Sequence, residues 1–303
     1  MYPLKMKPIF KDYLWGGTRL KEIYNKDIPF AIGAESWEAS VHPNGLSVIA
    51  NGELAGKPLA DVVGGDFPLL FKLIDARDNL SVQVHPNDDF AAKFENGSLG
   101  KTELWYVLEA EPGSQLVYGL KENVTKESFK SAIERGEVES QLQFVNVKKG
   151  DCFFIPAGLV HAIGAGILIA EIQQNSDTTY RVYDYKRVGA DGKPRELHVD
   201  KSLEVIGFAG NLGDSVEPLV TKIDENIVTK YASCEYFTFE KIEVKSSYDA
   251  TVNNCEILFF ADGEGEISGG EIVEKFSKGD TFVIPREVGN YEIRGNCVIL
   301  KSE

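Results

Sequence analysis

The chain has 303 residues, of which 43% are hydrophobic, and its formal net charge of -15 argues against a nucleic acid or an anionic membrane as a partner. No apolar run approaches the length that spans a bilayer. The length allows a well-buried core in two barrel-sized units, and 29 Gly, 12 Pro and many short aromatic or β-branched runs indicate a mainly β protein.

The N-terminal residues and the cysteines indicate the cellular compartment in which the protein is expected. Met1-Tyr-Pro-Leu-Lys shows no signal-peptide pattern, and the cysteines are scattered without CxxC spacing, at Cys152, Cys234, Cys255 and Cys297. This usage favours free thiols in a reducing compartment over a disulfide framework. We therefore expect a cytoplasmic protein.

Two strands are predicted in the first third of the chain, each with a polar side chain that could bind a metal ion. Residues 81–85 alternate strictly, so Ser81, Gln83 and His85 share one face of a strand that Pro86 ends. Glu103 opens a second strand-like run, Glu-Leu-Trp-Tyr-Val-Leu. Both strands thus present metal-capable groups.

The run from Gly150 to His161 reads Gly-x5-Pro-x-Gly-x2-His and predicts a turn, a buried strand, a second turn and an inward-pointing histidine. With Gln83, His85 and Glu103, His161 completes a candidate nitrogen and oxygen ligand set. Such a set suits zinc best, with manganese, cobalt, nickel or ferrous iron as substitutes. A single histidine in an apolar strand is more often structural, but two of the four histidines of this chain stand beside strand-ending turns.

An internal repeat divides the chain. The run 150–156 recurs at 279–285, and Asn290 stands where the first copy has His161. Compared with the second repeat, the first repeat carries about 24 extra residues between the strand that opens at Glu103 and the run 150–156. These residues, at about 121–143, contain a Thr cap, an apolar stripe and a Gly stop, which are typical of a helix. A turn-rich loop at 188–194 and a short helix at 198–208 are predicted in a connecting segment of about 186–227.

The Gly150 run resembles the second motif of the cupin barrels, and four further segments narrow the resemblance to the type I mannose-6-phosphate isomerase family, in its short bacterial form. These segments are residues 14–17, 83–88, 100–103 and 171–185. The resemblance implies two cupin-like jelly-roll barrels: a catalytic one in residues 1–227 with the helical insertion, and a non-catalytic one in residues 228–303. It also implies one zinc ion per chain, in the first barrel, and a small sugar phosphate as the ligand.

The implied reaction interconverts an aldose phosphate and a ketose phosphate through an enediol. It requires an electrophile to stabilise the developing oxyanion, a base for the carbon-bound proton, and a cation for the phosphate or the enediolate. Arg181 is the best candidate for the cation, because its planar fork can bridge two oxygens, and the family resemblance assigns it to the active site. Its alternative role is an ion pair with Asp177 or Asp184. The candidates for the base are Glu171, which follows an apolar run, and Lys101, which could also bind phosphate.

Trp15, beside two glycines, could form a wall of the sugar pocket or merely anchor the N-terminal segment. Two other functions stay open. One is a cupin oxygenase that uses ferrous iron, which would favour a ligand set richer in histidine. The other is a non-catalytic sugar-binding cupin, against which the four ligand candidates and Arg181 argue. The oligomeric state cannot be predicted from these patterns.

Overall fold

A computed structural model describes residues 1–189, 192–208 and 217–303. Strands make up 45% and helices 15%, so the predicted mainly β class is confirmed. The strands are β1 (Leu4–Lys7), β2 (Ile9–Lys11), β3 (Glu35–Ala39), β4 (Val48–Ile49), β5 (Leu69–Ala76), β6 (Val82–Val84), β7 (Glu103–Ala110), β8 (Gln115–Leu120), β9 (Leu142–Asn146), β10 (Cys152–Ile155), β11 (His161–Ile163), β12 (Ile167–Gln174), β13 (Tyr180–Tyr183), β14 (Leu219–Ile223), β15 (Asn226–Ser233), β16 (Thr238–Val244), β17 (Ser247–Thr251), β18 (Glu256–Gly269), β19 (Ile272–Ser277), β20 (Thr281–Ile284) and β21 (Asn290–Ser302).

Five short α-helices are found in the described residues. They are α1 (Arg19–Tyr24), α2 (Ala60–Val63), α3 (Asp88–Phe94), α4 (Lys126–Arg135) and α5 (Val199–Val205). None of the helices in the described part of the chain is long and apolar enough to cross a membrane.

The protein is built from two compact units that do not follow one another along the chain. The first unit comprises Met1–Lys11, Thr18–Leu73 and Val216–Glu303, and the second comprises Asp12–Gly17 and Ile74–Ser215. The sequence places the boundary between residues 227 and 228, where the second repeat begins. The first unit includes N-terminal segments because β1 pairs with β20 of the second repeat.

The first unit contains a ten-stranded antiparallel sheet. Its main path runs β14-β15-β16-β21-β18-β20-β1-β4, with β17 paired to β21 and β19 to β18. Apolar side chains from these strands form one buried cluster, in which Phe260 stacks on Phe276 with ring centroids 3.8 Å apart. This cluster is the core of the second repeat.

The second unit carries the predicted metal ligands. Its five-stranded sheet has the order β13-β6-β11-β8-β9, and β7 pairs with both β10 and β12. Strands β7 and β12 are buried almost throughout, which explains why their sequences are continuous apolar runs rather than alternating ones. The side chains that face inward from these strands are therefore held rigidly.

The internal repeat is visible in the register of the strands. Glu103 of β7 lies opposite Ile155 of β10, and Glu256 of β18 lies opposite Ile284 of β20. The glycine that opens each copy has a positive φ, 91° at Gly150 and 93° in the second copy, a conformation that side chains with a Cβ rarely adopt. The two copies thus share one strand-turn-strand geometry.

The predicted helical insertion and the predicted helix in the connecting segment are both confirmed. Helix α4 begins at the Thr125 cap, whose side chain accepts a hydrogen bond from the Ser128 backbone N–H, and ends at Gly136 in the left-handed conformation. Helix α5 lies within the predicted range 198–208. Of the predicted connecting segment, residues 190–191 and 209–216 lie outside the described residues.

Candidate metal centre

Adjacent strands bring the predicted ligands together. His161 of β11 lies opposite Gln83 of β6, and Gln83 in turn lies opposite Arg181 of β13. His85 follows β6, and Pro86 ends that strand as predicted. Gly158 has a φ of 87°, and its N–H donates to the His85 carbonyl at 2.9 Å. The turn before His161 therefore also fixes the segment that carries His85.

The side chains of His85, Glu103 and His161 converge on one point. One ligand atom from each lies within 4.8 Å of the others, and all three residues are buried. The two Nε2 atoms are 3.1 Å apart, and the Glu103 carboxylate lies 3.6 Å from Nε2 of His85 and 3.4 Å from Nε2 of His161. The predicted ligands thus meet.

Backbone carbonyls hold both imidazoles in the orientation that a ligand needs. Nδ1 of His85 is 2.9 Å from the Thr178 carbonyl, and Nδ1 of His161 is 2.8 Å from the Leu159 carbonyl. A carbonyl only accepts, so each Nδ1 carries the proton and each Nε2 presents a lone pair towards Glu103. Two lone pairs that face each other at this distance repel unless a cation lies between them.

Burial keeps His161 in the form that binds metal. Its side chain is completely buried, and this burial lowers its pKa from the ordinary value to about 3, while the hydrogen bond to Leu159 acts in the opposite sense. His161 is therefore neutral over the physiological pH range. Neutral imidazole is the form that coordinates a divalent cation.

The fourth predicted ligand, Gln83, lies at the edge of this cluster. Its side-chain amide approaches Nε2 of His161 at 3.3 Å, and Gln83 is only half-buried. A half-turn of the amide exchanges its nitrogen and oxygen, and the oxygen is the atom that would bind a cation. Gln83 is thus within reach of the cluster formed by the other three residues.

Two predicted catalytic residues adjoin the cluster. Lys101 is buried, and its Nζ lies 2.5 Å from Glu103 Oε2, 3.2 Å from His85 Nε2 and 3.9 Å from Glu171 Oε1. The second oxygen of Glu171 accepts a hydrogen bond from the Trp105 indole N–H at 2.7 Å. An ammonium and a carboxylate therefore stand side by side next to the candidate metal centre.

Arg181 lies on β13, opposite Gln83 of β6. Within the residues described, it makes no ion pair with Asp177 or Asp184. Its Nε donates to Ser81 Oγ at 3.3 Å and its Nη1 donates to the Glu196 carbonyl at 2.8 Å. Burial, and then the positive charge of Arg195, lower the pKa of Arg181 from its ordinary value. The guanidinium stays charged and sits on the face that bears Ser81, Gln83 and His85.

Trp15 is nearly buried in the same unit, where its carbonyl accepts backbone hydrogen bonds from Arg77 and Asp78. It also lines a cavity of about 260 Å³ together with Arg187 and Arg195. Both predicted possibilities, an anchor and a pocket wall, agree with this position.

Sequence patterns did not identify the supporting groups. The carbonyls of Thr178 and Leu159 belong to the backbone, which leaves no signature in the sequence. Trp105 could have been found, because it stands two residues after Glu103 on a strand and so shares its face. The ion cluster of Asp184 with Arg187 and Arg195 was missed, since these residues stand in a loop without periodicity.

Comparison with known proteins agrees with the geometry. A family model described as "Phosphomannose isomerase type I, catalytic domain" matches residues 3–104, and one described as "Mannose-6-phosphate isomerase, cupin domain" matches residues 227–303. The chain is 41% identical to mannose-6-phosphate isomerase ManA of Bacillus subtilis, with 98% of each chain covered. It is 37% identical to the mannose-6-phosphate isomerase of Streptococcus mutans, with 99% of this chain and 98% of the relative covered.

Solved structures are similar over the whole chain. The crystal structure of the mannose 6-phosphate isomerase from Bacillus subtilis matches with a TM-score of 0.93 at 32% identity and covers 100% of both chains. A variant of the phosphomannose isomerase from Salmonella typhimurium matches with a TM-score of 0.78 at 18% identity, over 99% of this chain and 98% of that one. At that identity the second likeness shows a shared fold only.

Proposed function

Because the chain belongs to the type I mannose-6-phosphate isomerase family, we propose that it interconverts mannose 6-phosphate and fructose 6-phosphate at the centre formed by His85, Glu103 and His161. It is an aldose-ketose isomerase. The convergence of two imidazole Nε2 atoms on one buried carboxylate is the observation that supports this site. The two alternatives, an oxygenase and a non-catalytic sugar-binding protein, are not favoured, since the relatives of the whole chain are isomerases.

The donor set fits a divalent transition metal. It offers two neutral imidazole nitrogens with fixed tautomers and one carboxylate, which is a typical set for catalytic zinc and leaves a position for substrate. We assign Gln83 as a fourth ligand through its amide oxygen. Zinc is the metal that we propose, at one ion per chain. When bound, it would polarise the carbonyl and hydroxyl oxygens at C1 and C2 of the sugar.

We propose one group of the chain for each of the two proton transfers in the reaction. The reaction transfers one proton between C1 and C2, so a base must lie beside these carbons while their oxygens lie at the metal centre. Glu171 and Lys101 both adjoin the centre, and their charged atoms are 3.9 Å apart. Glu171, whose orientation is fixed by the Trp105 N–H, is the stronger candidate for the base. Lys101 would hold the proton that moves between the two oxygens.

Arg181 would stabilise negative charge on the substrate. Its guanidinium lies on the strand next to Gln83, and Ser81 and the Glu196 carbonyl fix its direction. A planar fork held in this way can donate two hydrogen bonds to the enediolate oxygens as charge develops on them. This assignment makes Arg181 a catalytic residue.

The test combines an isomerase assay with metal analysis. The purified protein is expected to convert mannose 6-phosphate into fructose 6-phosphate and to lose this activity reversibly on chelation. His161→Ala should lower bound metal well below one per chain and remove activity, because one of the two imidazole ligands is lost. Asn290→Ala is the matched control, because Asn290 is the residue of the second repeat that corresponds to His161. Full activity in verified metal-free protein would overturn the proposal.

A further inference from the structure

Two neighbouring glutamines at the end of β12 differ in how the protein satisfies their side chains. Both are buried, with exposed fractions of 0% for Gln173 and 5% for Gln174. The Gln174 amide is engaged at both ends, because its oxygen accepts from the Thr102 backbone N–H at 2.8 Å and its nitrogen donates to the Asp88 carboxylate at 3.0 Å. Gln174 therefore has a structural role.

The Gln173 amide is engaged at one end only. Its nitrogen donates to the backbone carbonyls of Gln174 at 2.8 Å and Ser176 at 2.5 Å. Because a carbonyl only accepts, these two bonds require a nitrogen at that position and fix Oε1 as the other atom. No donor to Oε1 is found among the residues that the structure describes. A buried acceptor without a donor is destabilising, so this atom indicates a donor that a bound molecule supplies.

The strand register places Gln173 on the face of the candidate metal centre. Gln173 lies directly opposite Glu103 of β7, and Glu171 lies opposite Trp105. Directly opposed residues of an antiparallel pair point to the same face, with Cβ atoms roughly 5 Å apart. Glu171 and Gln173 share this face as well, because they are two residues apart on one strand. The candidate ligand Glu103, the candidate base Glu171 and the Gln173 amide therefore lie on one face.

The end of β12 suits a ligand that carries hydroxyl groups. Lys101, the buried cation beside this face, directs its Nζ at Glu103 and His85. The side-chain oxygen of Asn175, just after the strand, is a second buried acceptor for which the described part of the chain supplies no donor. A hydroxyl group can donate to such an oxygen without adding charge. A sugar brings several hydroxyl groups.

The position of Gln173 favours one hydroxyl of the proposed substrate. The oxygens of C1 and C2 would lie at the metal centre, and Glu171 would lie beside these two carbons. Gln173 is the next residue along the same strand face, with its Cα roughly 7 Å from that of Glu171. The first hydroxyl beyond the reacting carbons is the one on C3.

We propose that Gln173 is a specificity-determining residue whose Oε1 accepts a hydrogen bond from the C3 hydroxyl of the sugar phosphate. The proposal rests on the proposed isomerase function for the identity of the ligand. The carbonyls of Gln174 and Ser176 hold the amide in the orientation that presents its oxygen. Gln173 binds the substrate and takes no part in proton transfer.

The experiment measures kcat/KM for mannose 6-phosphate and for its 3-deoxy analogue. Wild type should prefer mannose 6-phosphate by roughly 10- to 100-fold, because the analogue leaves a buried acceptor without its donor. In Gln173→Met, which has a similar volume but no acceptor, this preference should fall to about threefold or less. Gln173→Leu is a second variant that removes the acceptor, should the first one fold poorly.

Gln174→Met is the matched control. It removes a buried amide of the same strand that the protein itself satisfies at both ends. The rates with both sugars should fall together in this variant if they fall at all, so the wild-type preference should remain. A purely structural effect at Gln173 would give this same result.

Binding of mannitol 6-phosphate, measured by calorimetry on the metal-loaded protein, provides a readout that does not need turnover. This polyol has no carbonyl to isomerise but keeps the C3 hydroxyl. Its 3-deoxy form should bind more weakly than mannitol 6-phosphate by a similar factor in wild type, and nearly equally well in Gln173→Met. Bound metal should stay at the wild-type level in each variant.

Equal kcat/KM for the two sugars in wild type would overturn the role of Gln173, as would a wild-type preference in folded Gln173→Met or Gln173→Leu. A loss of bound metal in these variants with an unchanged preference would assign Gln173 to the metal and also overturn it. If wild type binds the polyol phosphates with a Gln173-dependent preference but does not isomerise mannose 6-phosphate, the proposed function fails and the hydroxyl site stands.

Discussion

At the scale of single residues, the chemistry that we propose depends on lone pairs and charges that are held in position before the substrate binds. Backbone carbonyls accept the Nδ1 protons of His85 and His161 and so fix the direction of their Nε2 atoms, and burial disfavours the charged form of His161. Lys101 and Glu171 are held at 3.9 Å beside them. A preorganised arrangement of this kind costs little reorganisation during the reaction.

The role of Arg181 can be tested by its effect on the two kinetic constants. If its guanidinium stabilises charge that appears mainly in the enediolate, Arg181→Ala should reduce kcat and kcat/KM together, by about two to four orders of magnitude. Metal content, measured in parallel, should stay intact. A rise in KM at constant kcat would instead mean that Arg181 only binds the ground state.

The role of Glu171 can be tested with solvent deuterium. A side-chain base that takes the proton from one carbon exchanges some of it with solvent before returning it. We therefore expect deuterium at C1 or C2 of the sugar when the reaction runs in deuterated water, detected by mass spectrometry or NMR. Complete absence of label would favour a shielded base or a hydride shift and would leave the role of Glu171 without support.

At the scale of elements, short helices are tied to the sheet that bears the site. Glu95, at the C-terminal end of α3, accepts hydrogen bonds at 2.6 Å from Lys201 of α5 and from the Tyr180 hydroxyl of β13. The hydrogen bonds from Lys201 and then Tyr180 lower the pKa of Glu95 below its ordinary value of 4.5. One carboxylate thus links three elements.

This link predicts a pH-dependent stability difference. Because the folded state lowers the pKa of Glu95, the stabilisation is present at pH values above the ordinary pKa and is lost as the pH falls through the lowered folded value. Glu95→Gln should therefore cost about 0.5 to 1 kcal/mol at neutral pH, a small value because Lys201 is half-exposed. Denaturant unfolding of both proteins at several pH values measures this difference, which should shrink below pH 4.5. A constant difference would contradict the link.

At the scale of the whole molecule, one repeat carries the candidate metal ligands and the other has different groups at the matching positions. Glu256 matches Glu103 in register, but it accepts a hydrogen bond from the Tyr291 hydroxyl at 2.7 Å and lies 3.4 Å from Lys301 Nζ. Asn290, at the position of His161, is exposed and accepts a hydrogen bond from Thr251. Both buried carboxylates thus have a lysine neighbour, but only Glu103 also has two imidazoles beside it.

This difference predicts that residues 228–303 bind no catalytic metal. Asn290→Ala should leave turnover and metal content close to wild type, because this side chain is exposed and residues 228–303 contain no histidine that could join Glu256 as a ligand. Metal analysis of both proteins and the isomerase assay check this. A second stoichiometric zinc ion in the C-terminal repeat would contradict it.

The sequence by itself determined the mainly β class and the helical insertion, and it named the residues of the candidate ligand set. Strand-ending Pro86 and Gly158, the alternation from Ser81 to His85, and the capped helix α4 are local signals, since turn geometry and strand faces depend on neighbouring residues. The resemblance of four segments to one family determined the activity. The boundary between residues 227 and 228 stays a prediction, as do the individual roles of Trp15, Lys101 and Glu171.

Only the tertiary structure decided which groups surround these residues. The pairing of β1 with β20 joins residues far apart along the chain, and no local pattern encodes such a partner. The carbonyls that orient His85 and His161 are present in every residue type, so only their placement distinguishes them. Likewise Asp184 pairs with Arg187 and Arg195 in the described residues, and a bridge between Val188 and Pro194 lies between these two arginines; ion pairs of this kind depend on distances that sequence spacing does not fix.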